Sequence, residues 1–183
     1  TIAMANGVLQ TTCAGDLALH QVIESQIDRL QALVGDLLDM SRIDHDRIAP
    51  RPEQVSAVGI TLGALRTLDE IQPEWVTVNL PAELPRVWAD RALAERALIN
   101  LLRNAVRHGA PPIEIDVAST ASHVSITVRD HGAGIAVPAV AGLFEPYRPF
   151  GDAGRLGLGL SLSRALARAM DGDLTLISTH PAA

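Results

Sequence analysis

The chain has 183 residues, 48% hydrophobic but only 3% aromatic, with a formal net charge of −6, so its core must be mostly aliphatic. The negative balance excludes a nucleic-acid module held by a basic surface. The single Cys13 excludes an internal disulfide or a multi-cysteine zinc site and fits a reducing cytoplasmic setting. No apolar run reaches the ~20 residues that span a bilayer, and the N-terminus lacks the charge-then-apolar order of a signal peptide. Thr1, in place of an initiator Met, reads as the start of a piece of a longer protein. A membrane attachment would then lie upstream.

Residues 1–10 read as the end of a helix, Thr11–Asp16 as a turn with Asp16 as N-cap, and 17–43 as one long amphipathic helix. Ile23, Leu30 and Leu37 recur every seven residues, with Ile27 and Val34 in a second seam. Two arrangements fit that stripe: an intramolecular hairpin, or a homodimeric four-helix bundle. Ile48-Ala49-Pro50-Arg51-Pro52 breaks the helical pattern, because proline removes a donor and pushes its neighbour to extended geometry. The expected domains are therefore 1–47 and 48–183. Beyond the break, Val58–Leu68 reads as a helix, Val76–Leu80 as a strand, Pro81–Pro85 as a loop and Asp90–Arg107 as a strong helix. Ile113–Ala118 and Val124–Arg129 alternate apolar and polar residues, the period of half-buried strands. A short helix at Pro138–Phe144, a glycine-containing loop at Tyr147–Leu156, a helix at Leu158–Met170 and a strand at Leu174–Ile177 complete the pass. Helices and strands mix without strict alternation, so the fold class is α+β: a truncated helical hairpin followed by a two-layer α/β sandwich.

Three runs carry chemistry. Asn100-Leu101-Leu102-Arg103-Asn104-Ala105 puts two carboxamides four residues apart, on one helix face. That helix is apolar on nearly all sides, and a buried carboxamide must be hydrogen-bonded or ligate something. Neutral oxygen donors suit Mg²⁺, which binds through few protein groups plus phosphates and waters. Arg103, Arg107 and His108 continue from the same helix toward phosphate oxygens; a purely structural role for both Asn fits equally. Asp130-His131-Gly132-Ala133-Gly134-Ile135 follows a strand. Its carboxylate can accept from an exocyclic amine such as adenine's while the glycines let the backbone approach the ring; an ordinary turn is the plainer reading. Gly157-Leu158-Gly159-Leu160 opens a helix whose free N–H groups favour an anion. No lysine follows as in a P-loop, and no βαβ unit with a placed acid follows as in a dinucleotide fold. The preceding loop, with Gly151, Gly154, Arg148 and Arg155, reads as a lid over phosphates or as a mobile surface loop.

In this order and spacing, the runs resemble the catalytic region of bacterial sensor histidine kinases, within the ATPases that share the Bergerat (GHKL) fold. Asn100–Ala105 is similar to that family's N box, Asp130–Ile135 to its G1 box, Leu143-Phe144-Glu145-Pro146-Tyr147 to its F box and Gly157–Leu160 to its G2 box. Residues 17–43 resemble the second helix of its dimerisation hairpin. Thr1-Ile2 and Val76–Pro85 are similar to the potassium-sensing members.

The resemblance implies ATP and Mg²⁺ as ligands, with Asn104 the principal metal ligand and Asn100 its helper. Arg107 would contact phosphate and Asp130 the adenine amine. Gly132, Gly134, Gly157 and Gly159 would shape the pocket, with His108, Ile135, Phe144, Tyr147, Arg148, Leu158 and Leu160 lining it. Hydrolytic relatives carry a glutamate where Asn100 stands, so its absence implies transfer to a side chain rather than to water. The reaction implied is γ-phosphoryl transfer to a histidine, then to a response regulator, from a homodimer whose full-length form is held at the bacterial inner membrane. A protein-serine kinase or ATPase of the same fold, or a binding module without catalysis, shares the pocket. The acceptor histidine is expected just before Thr1. His45-Asp46-Arg47-Ile48-Ala49-Pro50 mimics an H-D-x-x-x-P pattern, but after the second helix, and His20 lacks an adjacent acid; both read as exposed polar residues. Arg155-Leu156 replace the Gly-Thr that precedes the G2 box, and the chain is expected to end before the last strand of the family's sheet.

Overall fold

The structure, a computed structural model, describes residues 49–68, 71–83, 85–146 and 157–179, together with Ile23, Ile27, Val34 and Gly35. The chain divides into two units, Thr1–Met40 and Ser41–Ala183. In the first, the four described residues are helical. The rest of the helix expected over 17–43 lies outside the described residues.

The second unit is built from β1 (Glu53–Ser56), α1 (Ala57–Arg66), β2 (Val76–Asn79), β3 (Arg86–Ala89), α2 (Arg91–His108), β4 (Ile113–Ser119), β5 (Val124–Arg129), α3 (Val137–Val140) and α4 (Gly159–Ala169). Helix starts follow local chemistry. Ser56 accepts from Gly59 N at 3.3 Å and caps α1. Asp90 Oδ1 accepts from Leu93 N at 3.2 Å and caps α2, which satisfies a donor with no partner inside the helix. Its other oxygen accepts from Arg51 N at 2.9 Å, so one carboxylate ties the incoming strand to the helix start. The backbone N–H of Arg51, foremost, and those of Leu93 and Ala92 hold the Asp90 carboxyl below its ordinary range.

A three-stranded sheet runs β2–β4–β5, with β2 parallel and β5 antiparallel to β4. The register pairs Val78 with Ile115 and Ile115 with Val128. Ile113, Ile115 and Val117 therefore share one face, and all three are buried. Against that face pack Ile60 and Ala64 of α1 and Leu98, Leu102 and Ala105 of α2, all within one aliphatic core. α4 is fastened to α2 by Ser163 Oγ, which donates to Gly159 O at 2.9 Å and to Ala97 O at 3.3 Å. Helices over a mixed sheet make the expected α+β sandwich.

Two strands were not expected. β1 and β3 form a separate antiparallel pair, Gln54 opposite Trp88 and Val55 opposite Val87. Each has four residues, too short for a periodic signal, and each is a strand only because the other lies beside it. Conversely, Leu174–Ile177 keeps the expected alternation of burial but is not a strand. A ladder needs a partner, and among the described residues none pairs with it.

Candidate nucleotide site

α2 is the spine of the site. Leu98, Leu102 and Ala105 turn one face to the core, which leaves Asn100, Asn104 and Arg107 together on another. Asn100 and Asn104 are partly buried, and Arg107 and His108 are exposed at the helix end. Asn100 Nδ2 is buried without a hydrogen-bond partner. In a folded core such an atom is costly unless something absent from the protein itself satisfies it.

The C-terminal end of α2 receives the loop that carries Asp130. Asp130 Oδ1 accepts from Gly132 N at 2.9 Å, closing a tight turn, and His131 N donates to Ala110 O at 3.0 Å. The fit is close enough to require glycine. A Cβ on Gly109 would sit 2.5 Å from Ala105 O and from Asp130 Cβ; one on Gly132 would sit 2.6 Å from Gly109 Cα and 2.9 Å from His108 O. Gly134 needs its freedom for another reason, a φ of 76°. Ile135 N donates to Thr179 O at 3.1 Å, which fixes the far side of the loop. Spacing alone had singled out Gly132 but not Gly109; a glycine directly after the last basic residues of a helix is the signal that would have found it.

The third wall is the start of α4. Gly157 has φ 61°, Leu158 is buried, and Leu162 N donates to Leu158 O at 2.8 Å as the first helical bond. Among the described residues no side chain caps this helix. The N–H groups of its first turn thus point out without an internal acceptor. Among the described residues, a Cβ on Gly159 would have Asn104 Nδ2 near it, at 4.0 Å. The carboxamide of α2 and the glycine opening α4 therefore face one another. Leu160 is partly buried in the same turn.

Phe144, partly buried beyond α3, lies under the guanidinium of Arg164, 4.7 Å from Cζ to ring centroid. Arg164 is held in turn by Asp173, through Nε at 2.9 Å and Nη2 at 3.2 Å. That fork, with Leu174 N and Arg168 behind it, keeps the Asp173 carboxyl well below the usual carboxylate range. Neither Arg164 nor Asp173 was singled out from spacing. Tyr147, Arg148, the lid to Leu156 and His45 lie outside the described residues.

Among the described residues no three His, Cys, Asp or Glu gather into a metal cage. The donor set that fits a cation is the carboxamide pair, the kind of sparse oxygen ligation that suits Mg²⁺ carried by phosphates. Two grooves, of about 310 Å³ beside Trp88 and Met170 and about 450 Å³ beside Asp90 and Glu95, include none of Asn100, Asn104, Asp130, Gly132 or Gly159. Backbone approach and orphaned donors, rather than cavity size, mark the site. Among the described residues no helix is long and apolar enough to cross a membrane.

Known proteins are similar to this chain. The sensor protein KdpD of Rathayibacter rathayi is 39% identical over 151 residues, covering 79% of this chain and 17% of its own. The sensor histidine kinase MtrB of Mycobacterium tuberculosis is 33% identical over 164 residues, covering 84% of this chain and 29% of its own. The chain thus spans less than a third of the length of these curated relatives. Among solved structures, the histidine kinase AdeS of Acinetobacter baumannii superposes with a TM-score of 0.76 at 22% identity, covering 98% of this chain and 88% of that one. Full-length ShkA in complex with AMPPNP gives 0.68 at 23% identity, covering 87% and 35%. Residues 89–182, which span α2, the Asp130 loop and α4, match the family described as histidine kinase-, DNA gyrase B- and HSP90-like ATPases, and the chain belongs to that family, with the sensor histidine kinases as its relatives.

Proposed function

We propose that this chain is the ATP-binding catalytic part of a sensor histidine kinase, and that it holds Mg²⁺–ATP between α2, the Asp130 loop and the first turn of α4. The observation that carries this reading is that α2 gathers all three walls. Its end packs on Asp130 and Gly132, and its Asn104 faces Gly159. Likeness to a structure in complex with AMPPNP supports an adenine nucleotide as the ligand.

Asp130 accepts from the adenine amine, while Gly132 and Gly134 let the ring approach the backbone. Asn104 is the principal oxygen ligand for Mg²⁺, with Asn100 beside it. Arg107 and the open N–H groups of α4 meet phosphate oxygens. When bound, Mg²⁺ neutralises the charge that develops as the γ-phosphoryl leaves. Asn100, a neutral carboxamide, cannot accept a proton from water as a carboxylate would, so the site favours transfer to an imidazole over hydrolysis. His108, Ile135, Phe144, Leu158 and Leu160 line the pocket. The domains are 1–47, a partial dimerisation hairpin, and 48–183. The full protein works as a homodimer at the bacterial inner membrane, passing phosphate from histidine to a response-regulator aspartate.

Titration calorimetry with Mg²⁺–ATP tests the pocket. Asn104→Ala is expected to weaken binding by ~10-fold or more, about 1.4 kcal/mol, without lowering the melting temperature. Unchanged affinity would remove Asn104 from the site. Acid-labile phosphate on a version extended upstream, unaffected by His45→Ala, tests the transfer; label lost with His45→Ala would move the acceptor into this chain.

A further inference from the structure

Among the described residues three buried side-chain nitrogens have no hydrogen-bond partner: Asn100 Nδ2, Arg103 Nε and His131 Nε2. His131 Nε2 lies 3.5 Å from Glu114 Oε1, so a carboxylate is at hand whenever the ring is protonated. The other two have no such neighbour. They stand three residues apart on α2, a spacing that puts them on one face, with Arg107 one turn further on. A buried amide N–H without an acceptor is costly, and a buried guanidinium N–H more so. Both orphans are donors. An acceptor-rich anion satisfies them together, and the guanidinium fork matches the oxygens of a phosphate.

The order of contacts along α2 indicates which phosphate. The C-terminal end meets Asp130 and Gly132, and Asn104 meets Gly159. Arg103 and Asn100 lie further back, roughly 9–14 Å from Gly109 at 1.5 Å per residue. That is about the reach from a purine to the far end of an extended triphosphate. We infer that Asn100 Nδ2 and Arg103 Nε form a donor pair for the terminal phosphate of a nucleoside triphosphate. Arg103 is then the residue that distinguishes a triphosphate from a diphosphate. This rests on the nucleotide reading above and adds a role for Arg103 to it. An amide can serve two ligands at once, Oδ1 toward a cation and Nδ2 toward a phosphate oxygen.

Titration calorimetry of the whole chain and of Arg103→Met with ATP, ADP and inorganic tripolyphosphate, each with Mg²⁺, tests the pair. Arg103→Met is expected to lower affinity for ATP by ~10-fold or more, the scale of a lost charged hydrogen bond. Affinity for ADP stays within about twofold. The melting temperature of the empty protein does not fall, because Arg103 Nε makes no hydrogen bond that Arg103→Met would break. Arg103→Lys, which keeps the charge without the fork, recovers only part of the ATP affinity and carries the same comparison should Arg103→Met not fold. Equal losses for ATP and ADP, or none for either, overturn the inference. Should the unaltered chain bind neither nucleotide, tripolyphosphate separates the two readings. Binding weakened by Arg103→Met keeps the donor pair and discards the nucleotide; binding unaffected by it, or absent, discards both.

Discussion

The two ends of α2 solve opposite problems. At the C-terminal end, backbone meets backbone: Gly109 and Gly132 touch closely enough that neither has room for a Cβ, Asp130 Oδ1 accepts from Gly132 N, and His131 N donates to Ala110 O. Toward the middle of the helix the reverse holds. Asn100 Nδ2 and Arg103 Nε are buried donors with no acceptor, and the start of α4 opposite Asn104 has no capping side chain. One end is closed by its own backbone; the other holds donors that the proposed ligand would complete. A rigid, self-satisfied surface suits a flat ring that must be recognised by shape. Donors held ready at some cost suit a charged group that supplies the missing acceptors.

The contrast can be broken at several points. Leu102, fully buried beneath α2, supports both ends. Leu102→Ala is expected to cost ~2–5 kcal/mol in urea unfolding and to weaken nucleotide binding as a whole. Next come the two glycines. Gly132→Ala forces a Cβ against backbone and is expected to cost ~1–3 kcal/mol. Gly159→Ala meets, among the described residues, Asn104 Nδ2 at 4.0 Å and is expected to be neutral or to stabilise α4 by up to ~1 kcal/mol. Equal costs at both positions would end the distinction between a closed end and an open one. The smallest effect belongs to the helix start. Asp90→Ala removes a cap worth ~1 kcal/mol. Because the Asp90 carboxyl is held below its ordinary 3.8, its contribution is complete above that value and disappears as the pH falls through the lowered native one. The stability gap between Asp90→Ala and the unaltered protein should therefore narrow as the pH is taken from neutral to below 3.8.

Much of this was legible beforehand because the signals are local. Asp90 marks a helix start by its own side chain, and the strands Ile113–Ser119 and Val124–Arg129 announce themselves by alternation. The chemistry-bearing runs were legible too, since carboxamides four residues apart on a helix share a face whatever surrounds them. β1 and β3 were not, because pairing across thirty or more residues makes each a strand. Nor was the stacking of Arg164 on Phe144, which depends on where α4 lies, or the role of Gly109, which depends on what packs on it.

Periodicity and capping thus determined, from the sequence by itself, the helices of the second unit and all three strands of the β2–β4–β5 sheet, and they singled out the residues proposed to hold a metal and a nucleotide. Only the tertiary structure decided that Asn104 faces Gly159, that Asp130 rests on Gly109, and that the donors of Asn100 and Arg103 are left without acceptors. The physical reason is range. Backbone preference acts over a few residues, whereas burial and the satisfaction of polar groups are settled by neighbours that the chain brings together only when it folds.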